Sequence, residues 1–225
     1  MNPRHPAAVL FDMDGTLVDS EKLWDVALDE LARRYGGELS SAARLAMVGT
    51  SMGESMEILH ADLGQPWRDP EEGAAWLHRR MAELFRTGLR WRPGAVQLLR
   101  AVRAAGIPTA LVTSTARALV EVALETLGRD SFDVVVCGDE VLAPKPAPEP
   151  YQTAARLLGV PIGRCVVVED SPAGVASALA AGAAVLAVPG DVPLAAAPGV
   201  HLRESLTGAD LELLAALLPS AELSG

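Results

Sequence analysis

Five short apolar runs set the terms on which this chain can fold: Ala8–Phe11, Thr109–Val112, Val134–Cys137, Cys165–Val168 and Ala184–Val188. They read as continuous rather than alternating, so each predicts a strand buried on both faces. Strands of that kind belong to a parallel sheet covered by helices. Ala- and Leu-rich segments with helical spacing separate the later runs, at 94–105, 115–128, 146–159 and 171–181. The expected class is α/β, a doubly wound parallel sheet.

The gap between the first two runs breaks this rhythm. Residues 17–91 are helical in pattern throughout, with Trp24, Leu28 and Leu31 as the clearest stripe. All four tryptophans (Trp24, Trp67, Trp76, Trp91) and four of the six methionines (Met47, Met52, Met56, Met81) fall inside it. A segment of this length is too long for a crossover and too helical for a loop. It predicts a second, all-helical domain inserted in the first connection, with residues 1–16 and 92–225 forming the sheet domain. These tryptophans and methionines are expected to pack that small domain's own core, and the two crossing strands to act as a hinge.

Composition narrows the function. With 19 Lys+Arg against 29 Asp+Glu the net charge is −10, and no basic run offers nucleic acid or an anionic membrane a surface. The apolar run from Ala7 is cut by Asp12 and Asp14, so no signal peptide is expected. The uncharged stretch from Ser171 to Gly190 carries Pro172, Gly174 and Gly182, which fits a helix, a stop and a strand better than a membrane span. A cytoplasmic protein, monomeric or weakly dimeric, is expected. Cys137 and Cys165, each in a Val-rich run, read as buried reduced thiols.

In a doubly wound sheet ligands bind beyond the carboxyl ends of the strands, and there the charged residues gather. The first run is followed by Asp12, Asp14, Gly15 and Thr16, and the second by Thr113, Ser114 and Thr115. Gly138, Asp139 and Glu140 follow the third, with Lys145 beyond, and Glu169, Asp170 and Ser171 follow the fourth. Carboxylates brought together resist ionising unless a cation compensates. A hard divalent ion does so, and Mg²⁺ commonly binds one or two carboxylates plus a substrate phosphate. Lys145 then balances the phosphoryl charge, and backbone N–H groups at Ser114 and Thr115 suit a phosphate oxygen.

These segments resemble the haloacid dehalogenase superfamily of aspartate-nucleophile phosphohydrolases. Phe11-Asp12-Met13-Asp14-Gly15-Thr16 is similar to its first motif, Thr113 to the second, Lys145 in Ala-Pro-Lys-Pro to the third, and Glu169-Asp170-Ser171-Pro172 to the fourth. Val18-Asp19-Ser20-Glu21-Lys22-Leu23-Trp24 resembles the branch of sugar-phosphate phosphatases and β-phosphoglucomutases. The resemblance implies a Rossmann-like core with a helical cap over residues 17–91. It also implies a small phosphorylated metabolite, plausibly a sugar or polyol phosphate, as substrate. Asp12 would be the nucleophile forming an aspartyl-phosphate, and Asp14 the general acid and base. Two residues apart on an extended segment, they can face one substrate. Thr113 and Lys145 would hold phosphoryl oxygens, and Asp12, the Asp14 carbonyl and Asp170 would hold Mg²⁺. Glu169 ligates directly, ligates through water, or buffers the charge.

The cap segment from Val48 to Ser55, with Gly49, Ser51 and Met52, resembles the family's substrate-facing loop. Met52 stands where the mutase branch generally has arginine, and Trp24 where it has a hinge histidine. A phosphatase is therefore expected, with a phosphosugar mutase as the alternative. His78, Arg79 and Arg80 either compensate from the last cap helix or form a solvated face, and Arg117 meets either phosphate or solvent.

Overall fold

The computed structural model describes residues 5–48, 50–190 and 192–219. Strands β1 (Ala8–Phe11), β2 (Thr109–Val112), β3 (Val134–Val136), β4 (Cys165–Glu169), β5 (Ala184–Ala187) and β6 (Val200–Leu202) form one sheet. Its order is β3-β2-β1-β4-β5-β6, with every neighbouring pair parallel. The chain runs outward from β1 to one side and then returns to place β4 on the other. The switch point of the sheet therefore lies between β1 and β4.

Alternate strand residues feed two apolar layers. Leu10, Val112 and Val167 pack with Tyr151 of α7 (Glu149–Leu158) and Ala178 of α8 (Pro172–Ala181). Phe11, Leu111 and Val168 face the other way, onto Leu98 of α5 (Ala95–Ala104) and Val120 of α6 (Arg117–Leu127). Full burial of each such side chain contributes about 1.5–3 kcal/mol. A last helix, α9 (Leu211–Ala216), closes the described chain and buries Leu214.

The inserted segment holds α1 (Glu21–Arg34), α2 (Ser41–Ala46), α3 (Met52–Asp62) and α4 (Pro70–Gly88). Leu28 and Leu31 of α1, Met56 and Leu59 of α3, and Leu77 and Met81 of α4 continue the apolar layer that begins on the sheet. The two crossing strands meet, because Val18 bridges Trp91 antiparallel while Asp19 N–H donates to the Arg90 carbonyl at 2.8 Å and Arg92 N–H to that of Leu17 at 2.8 Å. Trp67 corrects the expectation of a common aromatic core, since it is 77% exposed in the turn between α3 and α4.

The strands differ from expectation only at their ends. β3 stops at Val136, β4 gains Glu169 and β5 stops at Ala187, while β6, a short edge strand with His201 and Leu202 exposed, carries too little apolar signal to be read. Both cysteines are buried and unpaired. Among the described residues no helix is long and apolar enough to cross a membrane.

Candidate active site

The sheet brings the acidic strand ends together. Asp12 continues β1, its N–H donating to the Val168 carbonyl at 3.0 Å, and Asp170 follows β4 next door. One oxygen from each of Asp12, Glu169 and Asp170 lies within 4.8 Å of the others, and all three residues are buried. Lys145 reaches in from beyond β3. Its Nζ donates to Asp12 Oδ1 at 2.6 Å, to Glu169 Oε1 at 2.6 Å and to the Val112 carbonyl at 3.1 Å. All three ammonium protons are thereby used.

One buried cation facing three buried carboxylates leaves negative charge uncompensated. Burial pushes Asp12 up to about 8, with Lys145 opposing and the charges of Glu169 and Asp14 adding to the rise. Burial, followed by the charges of Asp12 and Glu169, lifts Asp170 well above the carboxylate range. Burial also acts upward on Glu169, but the charge and hydrogen bond of Lys145 hold it below its ordinary value. Burial would lower Lys145, yet Asp12 and Glu169 raise it, so it stays charged.

Both Glu169 oxygens are occupied. Oε1 accepts from Lys145 and from the Tyr151 hydroxyl at 2.7 Å. Oε2 accepts from the N–H groups of Asp170 (2.9 Å) and Ser171 (3.1 Å) and from the Ser171 hydroxyl (3.1 Å). Asp12 shares Lys145 with Glu169, and Asp170 has the neutral Thr16 hydroxyl (3.0 Å) on Oδ1 and no ion pair among the described residues. A hard divalent cation fits their oxygens, and the space around Asp170 is built for close approach. A Cβ on Gly15 would stand 2.1 Å from Asp170 Oδ2, and one on Gly190 would stand 2.9 Å from it. Gly15 also has φ +76°, which the tight turn after Asp14 requires.

Asp14 lies outside this cluster and accepts four hydrogen bonds. Oδ1 takes them from Ser20 Oγ (2.7 Å) and the Trp24 indole (3.3 Å), and Oδ2 from Thr113 Oγ1 (3.3 Å) and Thr115 Oγ1 (2.7 Å). The expectation that the Thr115 backbone N–H serves a phosphate is corrected. That N–H donates to Thr113 Oγ1 at 3.0 Å, and α6 begins only at Arg117. Arg117 is a structural lock: its guanidinium donates to Glu140 at 2.7 and 2.8 Å and to the Val135 carbonyl at 2.9 Å.

Two cavities with shared lining residues lie at this site. The smaller, of about 40 Å³, is lined by Asp12, Thr113, Lys145, Asp170 and Ser171. The larger, of about 310 Å³, sits between the inserted helices and the core. Asp14, Glu21, Val48 and Ser114 border both. Trp24, Leu28, Met47, Met52 and Leu77 give the larger one apolar walls, and Arg44, His78 and Asp139 add polar groups.

Ser51 and Met52 line this space, and the Ser51 hydroxyl caps α3, accepting from Glu54 N–H at 3.3 Å and donating to its carboxylate at 2.9 Å. Gly49 lies outside the described residues. Sequence reasoning missed Arg44, which is held by Glu21 Oε2 at 2.5 Å and by Asp25. It also missed Tyr151, whose place in α7 reads as ordinary core.

The chain matches the haloacid dehalogenase-like hydrolase family over residues 6–182. It is 37% identical over 187 residues to hexitol phosphatase A of Escherichia coli (strain K12), covering 82% of this chain and 84% of that one. It is 35% identical over 179 residues to the phosphorylated carbohydrates phosphatase of Thermotoga maritima, covering 78% and 81%. The structure of CbbY from Rhodobacter sphaeroides in complex with phosphate superposes with a TM-score of 0.81 at 29% identity, covering 93% of this chain and 99% of that one.

Proposed function

The chain belongs to the haloacid dehalogenase-like hydrolases, and we propose that it is a Mg²⁺-dependent phosphatase of a small sugar or polyol phosphate. The reading rests above all on Asp12, which is buried, paired with Lys145 at 2.6 Å and set beside Asp170 in the lining of the smaller cavity.

A carboxylate oxygen of Asp12 attacks phosphorus and the bond to the leaving oxygen breaks, while Asp14 protonates that oxygen. Water then attacks the aspartyl-phosphate, Asp14 takes its proton, and inorganic phosphate leaves with Asp12 regenerated. Lys145 and Thr113 stabilise the phosphoryl oxygens as charge builds. Asp12, Asp170 and the main-chain carbonyl of Asp14 would hold Mg²⁺, which when bound offsets repulsion between nucleophile and phosphate. Glu169, saturated by five donors, orients Lys145 and the turn at Ser171. Residues 17–91 form the cap, whose helices wall the leaving-group cavity and limit its access to water.

The leaving-group class is supported by the two carbohydrate and hexitol phosphatases that the chain resembles. A phosphosugar mutase has to hold a second phosphate. Here Met52 supplies no charge and Arg44 is already engaged by two carboxylates, which favours hydrolysis.

A panel of phosphorylated metabolites assayed with Mg²⁺, with EDTA and with Asp12→Asn tests this. Phosphate release that disappears in both controls is expected. Wild-type turnover by Asp12→Asn, or isomerised product dependent on a bisphosphate activator, would sink the reading.

A further inference from the structure

Tyr151 stands behind the acidic cluster, on α7 and fully buried. Its hydroxyl donates to Glu169 Oε1 at 2.7 Å. Lys145 Nζ donates to that same oxygen at 2.6 Å and lies 5.1 Å from the centre of the Tyr151 ring. One side chain therefore touches both members of a buried ion pair, its ring beside the ammonium and its hydroxyl on the carboxylate. Filling this place in the core takes only an aromatic ring, because Leu10, Val112 and Val167 pack in the same apolar layer. The hydroxyl is the part that packing does not require. It can only be a donor here: Glu169 is held below its ordinary value and accepts, while burial and the nearby carboxylates push the phenol well above its own.

The three protons of Lys145 are engaged by Asp12 Oδ1, Glu169 Oε1 and the Val112 carbonyl. To stabilise a phosphoryl oxygen the ammonium has to release one of these partners. Asp12 is the partner that the reaction frees, because its carboxylate gives up charge as the bond to phosphorus forms. Glu169 and Val112 then hold Lys145 from behind, and the grip of Glu169 sets how far the ammonium can turn. With two donors on Oε1, the charge of that oxygen is shared between Lys145 and Tyr151. With one donor it falls on Lys145 alone, and the ion pair tightens.

Building on the phosphatase reading, we infer that Tyr151 is a positioning residue for phosphoryl transfer: its hydroxyl shares Glu169 Oε1 with Lys145, which fixes that oxygen and leaves the ammonium able to follow charge onto the phosphoryl oxygens. Tyr151 touches no reacting atom and acts through Glu169 and Lys145. The shift of Lys145 takes place between bound substrate and transition state, so its loss belongs to kcat and not to KM.

Tyr151→Phe tests this, since it keeps the ring beside Lys145, removes the hydroxyl alone and leaves Oε1 bonded to the ammonium. Hydrolysis of a hexitol monophosphate and of phenyl phosphate gives kcat and KM. Competitive inhibition by inorganic phosphate and by orthovanadate reports binding of a ground-state and of a transition-state-like anion, and chemical denaturation reports the fold. In the variant kcat should fall about tenfold, the effect of one hydrogen bond to a charged group. The factor should be the same on both substrates, because Tyr151 lies on the phosphoryl side of the reaction. KM and phosphate inhibition should stay within about twofold, whereas the inhibition constant for orthovanadate should rise about tenfold. A lower denaturation midpoint with unchanged kcat and vanadate inhibition would make the hydroxyl merely structural and overturn the inference. Equal weakening of phosphate and vanadate would overturn it as well. A wild type that releases phosphate from neither substrate nor any other member of the metabolite panel would overturn the phosphatase reading itself, and this inference with it.

Discussion

The indole N–H of Trp24, in the first turns of the inserted helices, donates to Oδ1 of Asp14 at 3.3 Å. Ser20 reaches the same oxygen at 2.7 Å, while Thr113 and Thr115 hold Oδ2 from the core. The carboxylate is thus clamped between the two parts of the chain. To hand a proton to a leaving oxygen it must exchange at least one of these donors for substrate, and the long Trp24 bond is the weakest of the Oδ1 pair. Asp14→Asn should lower kcat by about a hundredfold or more, the usual yield of a placed acid and base. Trp24→Phe keeps the wall but drops the donor, and should cost no more than about tenfold. Steady-state phosphate release measures both, and unchanged rates in Asp14→Asn would remove its proton-transfer role.

Lys145→Met should be damaging to the fold as well as to the reaction. It leaves the carboxylates of Asp12 and Glu169 buried without their shared cation. Breaking a buried pair in this way costs about 3–5 kcal/mol. A clear fall in the chemical-denaturation midpoint is expected, and a midpoint equal to the wild type's would contradict the buried geometry.

Gly174→Ala tests the packing behind Glu169. A Cβ there would lie 1.7 Å from Glu169 Oε1, far inside contact distance. The carboxylate would have to move away from Lys145 and Tyr151, so stability should fall by about 1–3 kcal/mol and activity with it. A thermally and catalytically normal Gly174→Ala would show that Glu169 has other room.

Met52→Arg places a new cation on the wall of the larger cavity. Turnover of bisphosphorylated sugars should rise relative to monophosphates. An identical preference profile would mean that this position does not face the substrate.

Both thiols should be silent toward alkylating reagents in the native protein. Burial pushes Cys137 and Cys165 from 9.0 up to about 12, and only the thiolate reacts. The fold favours the protonated thiols. Their contribution to stability is therefore complete below the unfolded value near 9.0 and is lost as pH climbs toward 12. Labelling at pH 8.5 should need denaturant, and prompt stoichiometric labelling without it would refute this.

Much of the acidic rim is legible in the sequence because its residues sit where apolar runs stop. β1 and β2 fall on the predicted residues, and Asp12, Lys145, Glu169 and Asp170 converge because β1 and β4 are neighbours. The walls of the larger cavity were less legible. Arg44 and Tyr151 occupy ordinary helical positions, and only the packing of α2 and α7 shows that one pairs with Glu21 while the other reaches Glu169. Trp67 departs from expectation for the reverse reason: its residue type suggests burial, but a turn carries it outward. His78 reads in the sequence as a compensating group or as part of a solvated face, whereas its place on the cavity wall depends on how α4 packs against α6.

Among the described residues the pair of cavities shares Asp14, Glu21, Val48 and Ser114. On the proposed function, bond-breaking is confined to a compartment with room for little beyond a phosphoryl group, and discrimination happens next door on helices contributed by another stretch of chain. A lineage carrying this layout can swap one clientele for another by mutating the outer walls alone, while its reaction machinery passes through unaltered.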